Sequence, residues 1–120
     1  MAEILPFDHV GLTTEQVQPD EDWIEQSRVW VTNPRRHPES IEFLRYESDS
    51  QVPEVVRRNP HVAYRVTDLE PHLAGQHVAI PPFVVGGFVR VAFIVKHGMV
   101  FEYMQYLDEG RWFSRISEKR

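Results

Sequence analysis

Apolar residues along the chain cluster or alternate in short stretches between turn signals, the period-two pattern of strands rather than of long helices. The pattern places strands at Phe7–Thr13, Arg28–Thr32, Ser40–Glu47, Pro60–Thr67, Val78–Ile80, Phe88–Lys96 and Met99–Tyr106. Helical signals are fewer and shorter. The segment Pro19–Gln26 opens with proline and acids, as a helical first turn prefers. Thr67–Gly75 offers an N-cap in Thr67 or Asp68 and a glycine stop. Asn33-Pro34, His37-Pro38, Pro81-Pro82, Gly86-Gly87 and Lys96-His97-Gly98 mark turns, and the last implies a hairpin between the two strands it joins. Asp49–Asn59 reads as a polar connection between halves. The tail, residues 108–120, is charged but carries Trp112, Phe113 and Ile116, which gives it reason to dock on the domain or on a partner.

The chain also repeats itself. Asp8-His9-Val10-Gly11-Leu12 is answered by Pro60-His61-Val62-Ala63-Tyr64, and Ser40-Ile41-Glu42-Phe43-Leu44 by Val100-Phe101-Glu102-Tyr103-Met104, in the same order. Each half begins with a strand bearing a histidine and ends with a strand bearing a glutamate between apolar residues. An ionised carboxylate in such a strand is costly to desolvate unless it is paired or bound to metal. Alternation puts Glu42, Leu44 and Tyr46 on one face, His9 with Gly11 and Thr13, and His61 with Ala63, Arg65 and Thr67. Small residues beside each histidine leave room for an ion and a ligand. His9, Glu42, His61 and Glu102 are thus expected to be four ligands of one divalent metal ion. Two imidazoles with two carboxylates suit Ni, Co, Zn, Fe or Mn better than Ca or Mg. For any one of these residues an ordinary strand position is the commoner explanation; four recurring in register favour the site.

The remaining ionisable groups carry less. His37, His72 and His97 fall in a proline turn, a short helix and a hairpin, all expected at the surface, and His77 has no evident partner. Arg65 shares the face of His61, where it either steers an anionic group or forms an ordinary ion pair.

Composition narrows the classes. At 120 residues the chain is one domain. The absence of cysteine excludes disulfides, a thiolate zinc site and a cysteine nucleophile. A net charge of −5 argues against nucleic acid or an anionic membrane as partner. The clusters Arg35-Arg36-His37 and Arg57-Arg58 read as solvated loop charges. No apolar run approaches the roughly 20 residues that cross a bilayer, and MAEILPFDH has no basic region followed by an apolar stretch. A cytoplasmic protein with a small-molecule substrate is expected.

The segments FDHVGLTT, SIEFLRYE, NPHVAYRVTDLE and VRVAFIVKHGMVFEYMQY resemble the vicinal oxygen chelate superfamily, the group of glyoxalase I, bleomycin-resistance proteins and extradiol dioxygenases. The resemblance implies an α+β fold of two paired βαβββ modules forming a curved mixed-sheet cup, here with a shortened helix in the first module. Residues 5–50 would be the first module, 57–107 the second and 108–120 a C-terminal tail, within a single domain spanning 1–120. It places metal ligands on the first and fourth strands of each module, which lands on His9, Glu42, His61 and Glu102. The set looks most like that of bacterial glyoxalase I. The implied function is that of a metal-dependent lyase, isomerase or epimerase moving a proton next to a chelated carbonyl, with Glu102 first and Glu42 second as the catalytic base. An extradiol dioxygenase fits less well, because its iron takes two histidines and one carboxylate with open positions. The alternative is a drug- or antibiotic-binding protein of the bleomycin-resistance type. A homodimer is expected, since the edge strands need cover.

Overall fold

The computed structural model describes residues 3–113. Its architecture is α+β, a single curled sheet of eight strands with a few short helices. The strands are β1 (Phe7–Thr13), β2 (Asp22–Ile24), β3 (Val29–Val31), β4 (Ile41–Tyr46), β5 (His61–Arg65), β6 (His77–Val85), β7 (Val89–Lys96) and β8 (Met99–Tyr106). Two one-turn helices, α1 (Glu54–Arg57) and α2 (Glu70–Leu73), flank β5.

Strand order is β2-β3-β4-β1-β5-β8-β7-β6, so the sequence repeat is a repeat of topology. In each half the first strand runs parallel to the last, β1 beside β4 and β5 beside β8. The halves meet where β1 and β5 pair antiparallel at the centre. The sheet bends into a half-barrel whose concave side holds Val29, Val31, Leu44, Ala63, Val89, Val91, Phe93, Val100 and Met104 in one buried cluster. A second cluster on the convex side of the second half packs Leu69 and Val66 over Ala92, Ile94 and Tyr103. That second layer explains why β7 and β8 read as nearly continuous apolar runs, since both faces are covered.

The first half lacks a comparable helix. No helix lies between β1 and β2; its helical turns are the 3-10 turns Glu25–Ser27 and Pro34–Arg36. The helix expected over Pro19–Gln26 is replaced in part by β2. Cross-strand packing outweighs the local helix signals there: Trp23 pairs with Trp30 across β2 and β3, ring centroids 4.7 Å apart. Arg28 and Arg45 lie over these two rings at 5.0 and 5.5 Å, shielding an outer face that the second half covers with α2.

Pro81 and Pro82, expected as a turn, lie inside β6. The strand is an edge with register irregularities on either side of Ile80, where proline's missing N–H does no damage. The β7–β8 hairpin forms as expected. His97 and Gly98 take the left-handed conformations, φ 56° and 72°, of a two-residue turn.

Candidate metal centre

The four side chains marked by the repeat converge. Nε2 of His9 lies 3.1 Å from Oε1 of Glu42 and 3.3 Å from Oε1 of Glu102. Nε2 of His61 lies 3.1 Å from Oε1 of Glu102, 3.9 Å from Oε1 of Glu42 and 3.4 Å from Nε2 of His9. One ligand atom from each residue falls within 4.8 Å of all the others. His9 and His61 are each 1% exposed, and Glu42 and Glu102 are buried with them.

Sheet register explains the convergence. Gly11 on β1 stands opposite both Glu42 on β4 and His61 on β5. Ala63 on β5 stands opposite both His9 on β1 and Glu102 on β8. Each of two neighbouring rows therefore carries a histidine and a glutamate separated by one small residue, and all four project from the concave face. The small residue lets the flanking side chains lean together. At Gly11 the requirement is steric: a Cβ there would sit 2.0 Å from Cε1 of His61 and 2.5 Å from its two nitrogens.

The donor set fits a divalent ion. Ligand atoms about 2.0–2.1 Å from a zinc-like ion stand about 3.3 Å apart in a tetrahedron, and the separations above cluster around that value. Two imidazoles and two carboxylates also match the borderline chemistry of such ions. The same four atoms can instead share protons, so ion and proton compete for one site.

Asp8 orients this set from behind. Its Oδ1 is 2.6 Å from Nδ1 of His9. A carboxylate only accepts, so Nδ1 carries a proton, and Nε2 is the ring nitrogen that faces the cluster, open to a second proton or to an ion. The other oxygen, Oδ2, accepts from Arg65 Nε and from the Tyr106 hydroxyl, each at 2.9 Å. Strict alternation would send neighbours Asp8 and His9 to opposite faces. The β1–β5 pairing shifts register between Phe7 and His9, and this bulge frees Asp8 to turn toward its neighbour.

Electrostatics follow from these contacts. Burial works against charge on Asp8, but the bond and charge of His9, with Tyr106 and Arg65, hold its carboxyl down at about 2. Burial likewise opposes charge on Glu102, and the two histidines overcome it, holding the group well below the ordinary carboxylate range. Burial disfavours the imidazolium of His9, yet Glu42, Asp8 and Glu102 together raise its pKa well above the usual value.

Glu42 and Glu102 line a cavity of about 50 Å³ within the cup. Among the described residues its lining is otherwise apolar except for Ser27 and Tyr46, with Leu44, Phe88, Phe93, Met104 and Trp112 among its walls. Burial, reinforced by the negative charges of Glu42 and Glu102, pushes the Tyr46 hydroxyl above its ordinary value, so it stays protonated. Trp112 closes one side: its indole N–H donates to Oδ2 of buried Asp22 at 2.9 Å, and its ring packs on Phe88 and Phe113. The tail thus docks on its own domain through Trp112 and Phe113; Ile116 lies outside the described residues.

The fold has a solved counterpart. A hypothetical protein from Bacillus halodurans, known from a crystal structure, superimposes with a TM-score of 0.59 at 15% sequence identity, over 85% of this chain and 94% of that one. No family model matches the chain, and no curated protein does. At that identity the likeness concerns the fold alone.

Three contributors are less legible in the sequence than the four ligands. Asp8 is hidden by the alternation rule its bulge breaks. Tyr46 is foreshadowed only by sharing a strand face with Glu42. Trp112 lies in a tail with no periodic pattern. Arg65, a candidate for steering an anion, is instead engaged by Asp8 and lies 4.7 Å over the Tyr106 ring. Of the other histidines, His77 and His97 are exposed, whereas His37 and His72 are half-buried against Phe43 and Tyr103. Among the described residues no helix is long and apolar enough to cross a membrane.

Proposed function

We propose that this chain is a metal-dependent lyase or isomerase of the vicinal oxygen chelate type, one that moves a proton next to a carbonyl of a small substrate. The observation that carries the reading is a buried His9–Glu42–His61–Glu102 cluster whose two carboxylates line an apolar cavity. When bound, a divalent ion of the Ni, Co, Zn, Fe or Mn type supplies Lewis acidity to the carbonyl oxygen.

The chain's own groups supply the rest. Glu102 is ionised at neutral pH because His61 and His9 hold its proton affinity down, so its carboxylate is free of a proton when substrate arrives. In the proposed step it takes the proton from the carbon beside the carbonyl; the C–H electron pair moves toward the carbonyl oxygen. Glu102 then returns the proton to the former carbonyl carbon while the proton of the adjacent hydroxyl passes to the former carbonyl oxygen, so the isomer forms with no net gain or loss of protons; Glu42 is the second candidate for this shuttle. Tyr46, held protonated, donates a hydrogen bond to the substrate oxygen that gains charge. Leu44, Phe93, Met104 and Trp112 exclude water, which strengthens each of these interactions. His9 and His61 hold their places through Asp8 and Gly11 and take no part in the transfer.

The apolar wall also supports a second reading, a small-molecule binding protein without chemistry. Proton exchange separates the two. Metal-loaded protein is incubated in deuterated water with 1-hydroxybutan-2-one, and loss of the proton signal on the carbon beside the carbonyl is followed by NMR. Metal-dependent exchange that Glu102→Gln reduces by at least 100-fold at saturating metal supports the enzyme. Bound metal without exchange above the uncatalysed rate favours the binder.

A further inference from the structure

The repeat that aligns Glu42 with Glu102 also aligns Phe43 with Tyr103, and these two outward-facing rings have different surroundings. Tyr103 is buried beneath α2, in a cluster with Leu69 and beside the ring of His72. Phe43 is only half-buried, because no helix lies between β1 and β2 to cover it. A groove of about 250 Å³ opens there, with Ile41 and Phe43 as its apolar floor. Alternation turns these two residues away from Glu42 and Leu44, so the groove lies on the opposite face of β4 from the metal centre.

One connection, between β3 and β4, lines the groove with side chains whose acceptor atoms are engaged by the backbone. Thr32 Oγ1 accepts from the Phe43 N–H at 2.9 Å, Asn33 Oδ1 from the Arg35 N–H at 2.9 Å, and His37 Nδ1 from the Glu39 N–H at 3.0 Å. What these three side chains offer a ligand is therefore an O–H, an amide NH2 and an Nε2–H. Arg36, exposed on the same connection, adds a guanidinium, which only donates. Gln18 and Asp20, the acceptor-bearing members of the lining, belong to a different segment, the connection between β1 and β2.

A ligand matched to this lining has an acceptor-only head and an apolar body. A carboxylate is such a head, and it takes charge-assisted, bidentate hydrogen bonds from a guanidinium. The volume sets the body: about 250 Å³, against about 150 Å³ for an apolar cavity that takes up benzene, accommodates one six-membered ring with its head group. We propose that this groove binds a small cyclic or aromatic carboxylate, its head toward Thr32, Asn33, Arg36 and His37 and its ring against Ile41 and Phe43. The site is separate from the metal centre and does not depend on it.

Benzoate is the probe, titrated into the full chain while the Asn33 side-chain amide and the His37 ring are followed by NMR. Saturable binding that shifts both signals is expected. Benzyl alcohol keeps the ring but lacks the charged, acceptor-only head, and is expected to bind about tenfold more weakly or worse. Inorganic phosphate, an anion with no apolar body, is expected to bind more weakly by a similar factor. Arg36→Gln, at an exposed position, should weaken benzoate about tenfold with the urea midpoint and zinc uptake both unchanged. Equal binding of benzyl alcohol overturns the role of the donors, and equal binding of phosphate overturns the role of the floor. No saturable shift at Asn33 and His37, or undiminished affinity in Arg36→Gln, overturns the proposal as a whole and leaves the metal reading standing.

Discussion

Replacing Gly11 by alanine tests the packing logic of the site with one methyl group. Gly11 is absent from the residues with positive φ, so alanine introduces no backbone strain, and the whole effect must come from the added Cβ. That atom would sit 2.0 Å from Cε1 of His61, far inside contact distance. The ring has nowhere to go without loss: it is 1% exposed, lies edge-on to Phe93 at 5.2 Å and to His9 at 5.4 Å, and contacts Glu102 at 3.1 Å. Overpacking a core costs about 1–3 kcal/mol, and stranding a buried polar partner costs about another 1–3 kcal/mol. Gly11→Ala should therefore destabilise the protein by about 2–6 kcal/mol in urea unfolding and abolish zinc uptake in calorimetry. Ala63→Gly, at the equivalent position of the other row, is the control. It removes a methyl group, should cost about 1 kcal/mol, and should leave zinc uptake in place. Wild-type stability and zinc affinity in Gly11→Ala would refute the account of how the two rows bring the ligands together.

Four further outcomes follow from the contacts around the site. Asp8→Asn replaces an acceptor-only group behind His9 and should weaken zinc binding by about 10–100-fold; unchanged affinity in competition with a chromophoric chelator would show that Asp8 does not orient the ring. For pH, Asp8 and Glu102 are both held at about 2, against ordinary values of 3.8 and 4.5. Lowered carboxylates contribute stability that is complete above their unfolded values and lost as pH falls through the folded ones. The metal-free protein should thus keep the contribution of these two carboxylates to its urea midpoint above about pH 4.5 and lose it progressively toward about pH 2; a flat midpoint between those values contradicts the shifts. His9 has the opposite sign, a raised value, so its contribution is present below its ordinary 6.5 and lost as pH rises through the folded value. Zinc must displace that proton, and uptake near neutral pH should release about one proton, read by calorimetry in buffers of different ionisation enthalpy; no release would place the proton elsewhere. Trp112→Phe keeps the aromatic wall but deletes the donor to Asp22, and should cost about 1–3 kcal/mol in urea unfolding.

The central fold and ligand set could be read in the sequence because they rest on local rules. Period-two patterning located β1, β4, β5, β7 and β8 to within a few residues, and a buried glutamate in an apolar strand is conspicuous wherever it occurs. The misreadings arise where tertiary contacts override local preference. Asp22-Trp23-Ile24 looks like a helical first turn until the Trp23–Trp30 pair and the Trp112–Asp22 hydrogen bond are known. Pro81-Pro82 breaks an interior strand but not an edge one. Gly11 was legible as a small residue beside a ligand, and its role is sharper in three dimensions: the space it leaves is filled by the ring of His61 from the other half. That cross-half relation follows from the β1–β5 register, which no repeat within the sequence specifies.

Joint binding of one ion by the four side chains is open to direct measurement. Crystals soaked in zinc and measured at the zinc absorption edge should show a single anomalous peak per chain, about 2.0–2.2 Å from His9 Nε2, His61 Nε2 and one oxygen each of Glu42 and Glu102. No peak at this position, or a zinc ion held elsewhere while the four groups remain hydrogen-bonded to one another, would contradict it.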